Sequence, residues 1–235
     1  LVTETIEIIH EDDSIIVVNK PNNILVYASY FARNIKDDDL VTLLKEQTER
    51  ELYPIHRLDR KTSGILLLAK EKEFVKDYQQ QFENNLVQKQ YYAVVRGHCP
   101  SNGVIDTPTK NAETGKYKEA LTEYETLETI ELDIPVHPYE KSRYSLVKFT
   151  PKTGRMHQLR IHANKISHPI VGDYQYGDRF HNRMFEHEFN WNNMFLHAGE
   201  LSIKQPNNGE QLLFKSSFPD DWDQLFKNFN WPKPK

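Results

Sequence analysis

The chain has 235 residues, a formal net charge of −4 and one cysteine, Cys99. A chain of this length buries about three-quarters of its unfolded surface, so a full core forms without staples, and a lone cysteine excludes an internal disulfide or a cysteine metal site. No apolar run approaches the roughly 18 residues of a membrane span, and the acidic opening LVTETIEIIHEDD lacks the sections of a secretion signal, so a cytoplasmic location is expected.

In chain order, IEIIHEDDSIIVVNKP reads as two short strands about an Asp-Asp-Ser turn, the second ending at Lys20-Pro21. Asp39 is placed to cap a helix through LVTLLKEQTEREL, with Leu40, Leu43, Leu44 and Leu52 near helical spacing. The continuous apolar run Ile65-Leu66-Leu67-Leu68-Ala69 predicts a core strand. A helix over about 71–84 carries Phe74, Tyr78 and Phe82 on one stripe, which reads as packing and not as a stacking surface. KQYYAVVRGH is a strand bounded by Gly97, with Tyr91, Ala93 and Val95 on one face and Tyr92 and Val94 on the other. EALTEYETLETIEL alternates like a strand wet on one face, and RYSLVKFTP is another strand. GRMHQLRIHANKI places Met156, Leu159, Ala163 and Ile166 on an amphipathic helix starting near Arg155.

NMFLHAGELSIKQPNNGEQLLFKS predicts a hairpin turning at Pro206-Asn207-Asn208-Gly209, and Phe218 to Phe229 a last helix with Trp222, Leu225 and Phe226. Strands outnumber helices without regular β-α alternation. The expected fold is α+β, with a largely antiparallel or mixed central sheet and flanking helices. No linker divides the chain, so residues 1–235 are read as one domain.

The net charge hides its distribution. Residues 56–96 carry eight Lys/Arg against five Asp/Glu, and residues 141–183 carry nine against two, on an otherwise acidic background. Two such blocks suit a local polyanion footprint, although solvated surface charge explains them equally well.

Three stretches carry candidate chemistry. In PIHRLDRKTSGILLLAK, Asp59 sits between arginines before the core strand. A carboxylate at the mouth of a rigid sheet suits a nucleophile or a cation stabiliser better than a general acid, while a salt bridge or turn is the commoner role for one loop Asp. In TPKTGRMHQLRIHANKISHPIVGD, Arg160 falls at the edge of the apolar stripe, where its planar fork suits a bidentate carboxylate pair. His157 and His162 are five apart, not at the i, i+4 spacing of zinc-binding helices, so no metal is expected there. Tyr91 either stacks on a base and offers its phenol to a proton in transfer, or packs in the core.

Together these stretches carry a resemblance. HRLDRKTSGILLLAK resembles the HRLDxxTSG…L motif of the RluA family of pseudouridine synthases. KQYYAVVRG is similar to that family's K-x-Y-x-A-x-V-x-G strand, and TGRMHQLRIH with HPIVGD to its TGRxHQLRxH…HPIxGD segment. VVNKPNNILVY resembles the opening NKPxG segment, but has Asn23 where Gly is usual and Tyr27 where His is common. The similarity runs from about residue 6 to 205. The run RYSLVKFTPKTGRMHQLRIHANKISHPIVGDYQYGDRFHNR is especially similar to the TruC branch, which modifies a uridine low in the T stem of tRNA (uridine 65).

The resemblance implies the pseudouridine synthase catalytic domain with a central cleft and no separate N-terminal RNA-binding module. It implies isomerisation of uridine to pseudouridine in structured RNA, tRNA foremost, with rRNA as the alternative. It implies Asp59, Tyr91 and Arg160 as catalytic residues, Arg160 pairing with Asp59, and Arg57 entering the RNA stack as the target flips out. His56, Arg60, Arg143, Lys152 and Arg155 are the further RNA-binding candidates. Lys141, Lys148, Lys165, Arg179 and Arg183 extend the phosphate-contact set. No cofactor, metal or membrane is expected, and the enzyme is expected to act as a monomer. Two rivals are a catalytically silent RNA-binding protein of the same fold and a carboxylate glycosidase. The second carboxylate that a glycosidase needs is missing from residues 141–172.

Overall fold

An Asp-Ser turn folds the first strand back on the second. β1 (Glu7–Glu11) pairs antiparallel with β2 (Ile15–Lys20), and Asp12 closes the turn by accepting from the N–H of Ser14 at 2.7 Å and of Ile15 at 2.8 Å. These coordinates belong to a computed structural model that describes residues 5–27, 39–110 and 114–234. Asp39 caps α1 (Leu40–Thr48), its carboxylate accepting from Thr42 N at 3.0 Å. That helix ends earlier than its spacing predicts: Glu49 turns left-handed, so Leu52 is buried from the following loop and not from the helical stripe. β3 (Tyr53–Pro54) pairs with β4 (Ser63–Ala69), every residue of which is buried. α2 (Lys72–Glu83) lays Tyr78, Phe74 and Phe82 on the apolar cluster of Ile15, Val17, Ile65 and Leu67, as its stripe predicts.

β5 (Gln88–Arg96) is followed by β6 (Asn102–Asp106), by the short arm of β7 (Thr109–Lys110) and β8 (Tyr117–Lys118), and by the long β9 (Leu121–Leu132) and β10 (Ser142–Pro151). α3 (Gln158–Lys165) starts three residues later than expected, because His157 adopts a left-handed conformation (φ 55°). The Gln158 side chain closes that turn, accepting from Thr153 Oγ1 at 2.7 Å and Arg155 N at 3.0 Å. Met156 therefore lies outside the stripe and is exposed, while Leu159 and Ala163 are buried.

α4 (Arg179–Phe189) was not legible as a helix, because two of its four buried positions are the polar His181 and Asn182. Its cap is ordinary: Asp178 accepts from the N–H of Phe180. β11 (Leu196–Lys204) and β12 (Gln211–Lys215) form the expected hairpin, and α5 (Asp220–Asn228) buries Trp222, Leu225 and Phe226.

Residues 1–89 and 198–217 form one compact unit, and residues 90–197 and 218–235 another. In the first, the strand order is β1-β2-β4-β11-β12. In the second it is β5-β10-β9-β6, and both faces of β5 are covered. Tyr92 and Val94 pack with Trp222, Leu225 and Phe226, and Ala93 and Val95 with Leu159 and Ala163. The alternation of KQYYAVVRG is thus realised in two separate apolar clusters. The architecture is α+β, and among the described residues no helix is long and apolar enough to cross a membrane.

Candidate active site

In the first unit, Asp59 stands half-buried on the loop between β3 and β4, where its carbonyl accepts from Thr62 N at 3.0 Å. That loop is stitched to the Lys20–Ile24 segment. Lys20 is fully buried, and its Nζ donates to the carbonyls of Pro21 at 2.7 Å, Ile24 at 3.0 Å and Arg60 at 3.0 Å. Asn22 Nδ2 donates to Lys61 O at 2.6 Å, and Arg60 Nε to Asn23 O at 2.9 Å. Burial pulls the Lys20 pKa down to about 7; the charge of Asp59 opposes that shift and the charge of Arg60 adds to it. Asn23 holds φ at 67°, the region glycine favours and asparagine tolerates, so the departure from NKPxG leaves the loop conformation available.

The sequence marks Lys20 as a strand end and as part of the NKPxG-like segment, and leaves this role unassigned. The available signal was a lysine at the end of the strand begun by Ile15-Ile16-Val17-Val18, which pairs with the strand after Asp59.

The flanking residues separate by role. Arg57 is exposed, its guanidinium 5.6 Å from the centre of the Tyr27 ring and its Nη1 3.4 Å from the Tyr27 hydroxyl. His56 turns inward instead. It stacks on Phe82 with ring centres 4.6 Å apart and accepts from Leu67 N at 3.1 Å through Nε2. Burial, then the charge of Lys89, drives its pKa down to about 3. That ring braces the loop as a neutral acceptor, a role different from the RNA contact expected of it.

In the second unit, Tyr91 is half-buried beside the cluster of Ala93 and Val95. Arg160 forms the bidentate pair its geometry suits, and Asp173 is a partner that sequence reading did not identify. Nε donates to Asp173 Oδ2 at 2.7 Å and Nη2 to Oδ1 at 2.9 Å, with both residues almost wholly buried. Burial pushes the Asp173 carboxyl up, but Arg160 and the N–H groups of Tyr176 and Gln175 outweigh it and hold the group below the usual carboxylate range. The Tyr176 ring lies 5.0 Å from the guanidinium. Asp173 is one residue past the interval in which a second carboxylate was sought. Its bonds to Arg160 and to the backbone fit an anchor and not a glycosidase acid.

The basic block of β10 has cross-strand partners. Arg143 pairs with Glu131 at 2.7 Å, Lys148 with Glu125 at 2.6 Å and Lys152 with Glu123 at 2.8 Å, while Lys141 reaches Asp133 at 2.8 Å. The carboxylates of β9 and this basic stretch thus offset each other along adjacent strands. Arg155 donates to Glu119 O at 3.1 Å. Nearby, a groove of about 880 Å³ is lined by Lys110 and Tyr117 of the β7–β8 arm, by Met156 and Lys165, and by Tyr176.

A family model described as RNA pseudouridylate synthase matches residues 14–165, the stretch that holds Asp59, Tyr91 and Arg160. The tRNA pseudouridine synthase C of Haemophilus influenzae is 38% identical over 236 aligned residues, covering 96% of this chain and 98% of that protein. The protein of the same name from Pasteurella multocida is 39% identical and covers 97% of each. Of solved structures, human RNA Pseudouridylate Synthase Domain Containing 1 superposes with a TM-score of 0.71 at 25% identity, covering 99% of this chain and 98% of that one. Human RNA Pseudouridylate Synthase Domain Containing 4 gives 0.72 at 24% identity, with 97% and 95% covered, a likeness of fold. On its matched segments and on this full-length similarity, the chain belongs to the RNA pseudouridylate synthase family.

Proposed function

We propose that this chain isomerises a uridine low in the T stem of tRNA, uridine 65, to pseudouridine. The reaction breaks the bond from ribose C1′ to uracil N1, turns the base and rejoins it through C5. The C5 proton leaves and N1 gains one, so redox state and phosphates are untouched. Asp59 is the carboxylate that attacks the nucleotide or stabilises charge at C1′. Arg160 is the guanidinium that serves that carboxylate, and Tyr91 stacks on the uracil and assists removal of the C5 proton.

The target atoms are inaccessible in a stacked helix, so the nucleotide flips out at a cost of a few kcal/mol. Arg57, exposed on the same loop as Asp59, offsets part of that cost by stacking in the vacated space. Phosphate contacts fall to Arg155, Lys165 and Arg183, with the paired cations of β10 exchanging carboxylate for phosphate on binding.

The observation that carries this reading is the full-length similarity to the tRNA pseudouridine synthase C of Haemophilus influenzae. It is supported by the rigid, stitched loop that presents Asp59. The test is to incubate the purified chain with unmodified tRNA and with rRNA fragments and to map pseudouridine in both. Modification of the T-stem uridine in tRNA is expected. Modification of rRNA alone would reassign the substrate, and none in either would leave the silent RNA-binder.

A further inference from the structure

We propose that Asp173 is a positioning residue for the isomerisation, acting through Arg160; this rests on the proposed role of Arg160. The geometry is that of a clamp. Asp173 takes one edge of the guanidinium through its two donors Nε and Nη2, in a planar fork, and leaves Nη1 outside that pair. The face is held by Tyr176, whose hydroxyl lies 3.1 Å from His157 Nδ1. Bidentate pairing fixes the plane of an arginine as well as its place, which one point contact does not.

The clamp is itself held. Asp173 Oδ1 also accepts from Gln175 N at 2.9 Å and Tyr176 N at 3.1 Å. Asn182 grips the backbone beneath, donating to Asp173 O at 3.0 Å and accepting from Gly172 N at 2.8 Å. Gly172 and Gly177 let the chain close so tightly: a Cβ on Gly172 would meet Asn193 O at 2.0 Å, and one on Gly177 would meet Asp173 O at 2.1 Å. A pair serving only to fasten α3 to the next loop would need no control over the guanidinium plane. Here one edge and one face are fixed, and a misplacement of about 1 Å in such a group costs about 100-fold in rate.

The test compares wild type, Asp173→Asn, Arg160→Met and the double variant Arg160→Met/Asp173→Asn. Single-turnover tritium release from C5-labelled tRNA is measured with tRNA affinity and melting temperature. Asp173→Asn is expected to slow release about 100-fold while tRNA affinity stays within about threefold. The double variant is expected to be no slower than Arg160→Met alone, because Asp173 acts through Arg160.

Asp173→Asn releasing tritium at the wild-type rate would overturn the proposal. So would a double variant about 100-fold slower than Arg160→Met, since a separate structural role predicts that. The double variant leaves no buried charge unpaired and keeps the amide oxygen for the loop N–H groups. Its comparison with Arg160→Met therefore decides the matter even if Asp173→Asn does not fold. A wild-type chain that releases no tritium overturns the catalytic reading beneath.

Discussion

The side chains nearest Asp59 divide into those that hold the loop and those that face outward. Lys20 holds it: three carbonyls from two segments converge on one ammonium with no solvent. Lys20→Met keeps the stem and orphans those carbonyls, so a loss of about 2 kcal/mol is expected in urea unfolding. Arg57 faces outward, and Arg57→Ala is expected to cut the single-turnover rate about tenfold by weakening base flipping, a loss of stacking of roughly 1–2 kcal/mol. An unchanged rate would remove its wedge role. At this scale the sequence named the motif residues but not their partners. Asp173 lies thirteen residues from Arg160 and Lys20 forty from Arg60, pairings that only the folded backbone reveals.

Among the elements, those whose burial follows one period were legible: the run of β4, the two faces of β5, the stripe of α2. The start of α3 was misjudged because Met156 continues the helical spacing while His157, left-handed, ends the turn before it. α4 stayed hidden because His181 and Asn182 are spent inside, on Tyr144 and on the Gly172–Asp173 backbone. Strand β4 supplies a direct check. Gly64 holds φ at 108°, and a Cβ there would lie 2.2 Å from Ala198 O on β11. Gly64→Ala is therefore expected to cost about 3 kcal/mol through backbone strain and overpacking, read as a lowered urea midpoint with m unchanged. A midpoint equal to wild type would refute that close approach.

For the whole chain, buried neutral histidines set the response to acid. His56 and His197 have pKa values near 3, below the ordinary 6.5. The unfolded chain takes up their protons first as pH falls, so stability present above pH 6.5 is lost between 6.5 and about 3. Each histidine contributes up to about 1.4 kcal/mol per pH unit. The lowered pKa of Asp173 adds in the same direction at more acid pH. The melting temperature should fall steeply across that window, and a flat profile would contradict the neutral, buried rings. Four of the cations expected to make the phosphate footprint, Lys141, Arg143, Lys148 and Lys152, are paired with β9 carboxylates, a cross-strand fact invisible in a linear charge count. tRNA affinity should still weaken between 50 and 200 mM salt, but less steeply than a full set of about eight phosphate contacts would give. The account depends most on the Asp59 carboxylate, and Asp59→Asn keeps its shape while removing its charge. In single-turnover tritium release from C5-labelled tRNA, that variant should show no release above background while binding tRNA within about threefold of wild type. Release at the wild-type rate would contradict the account.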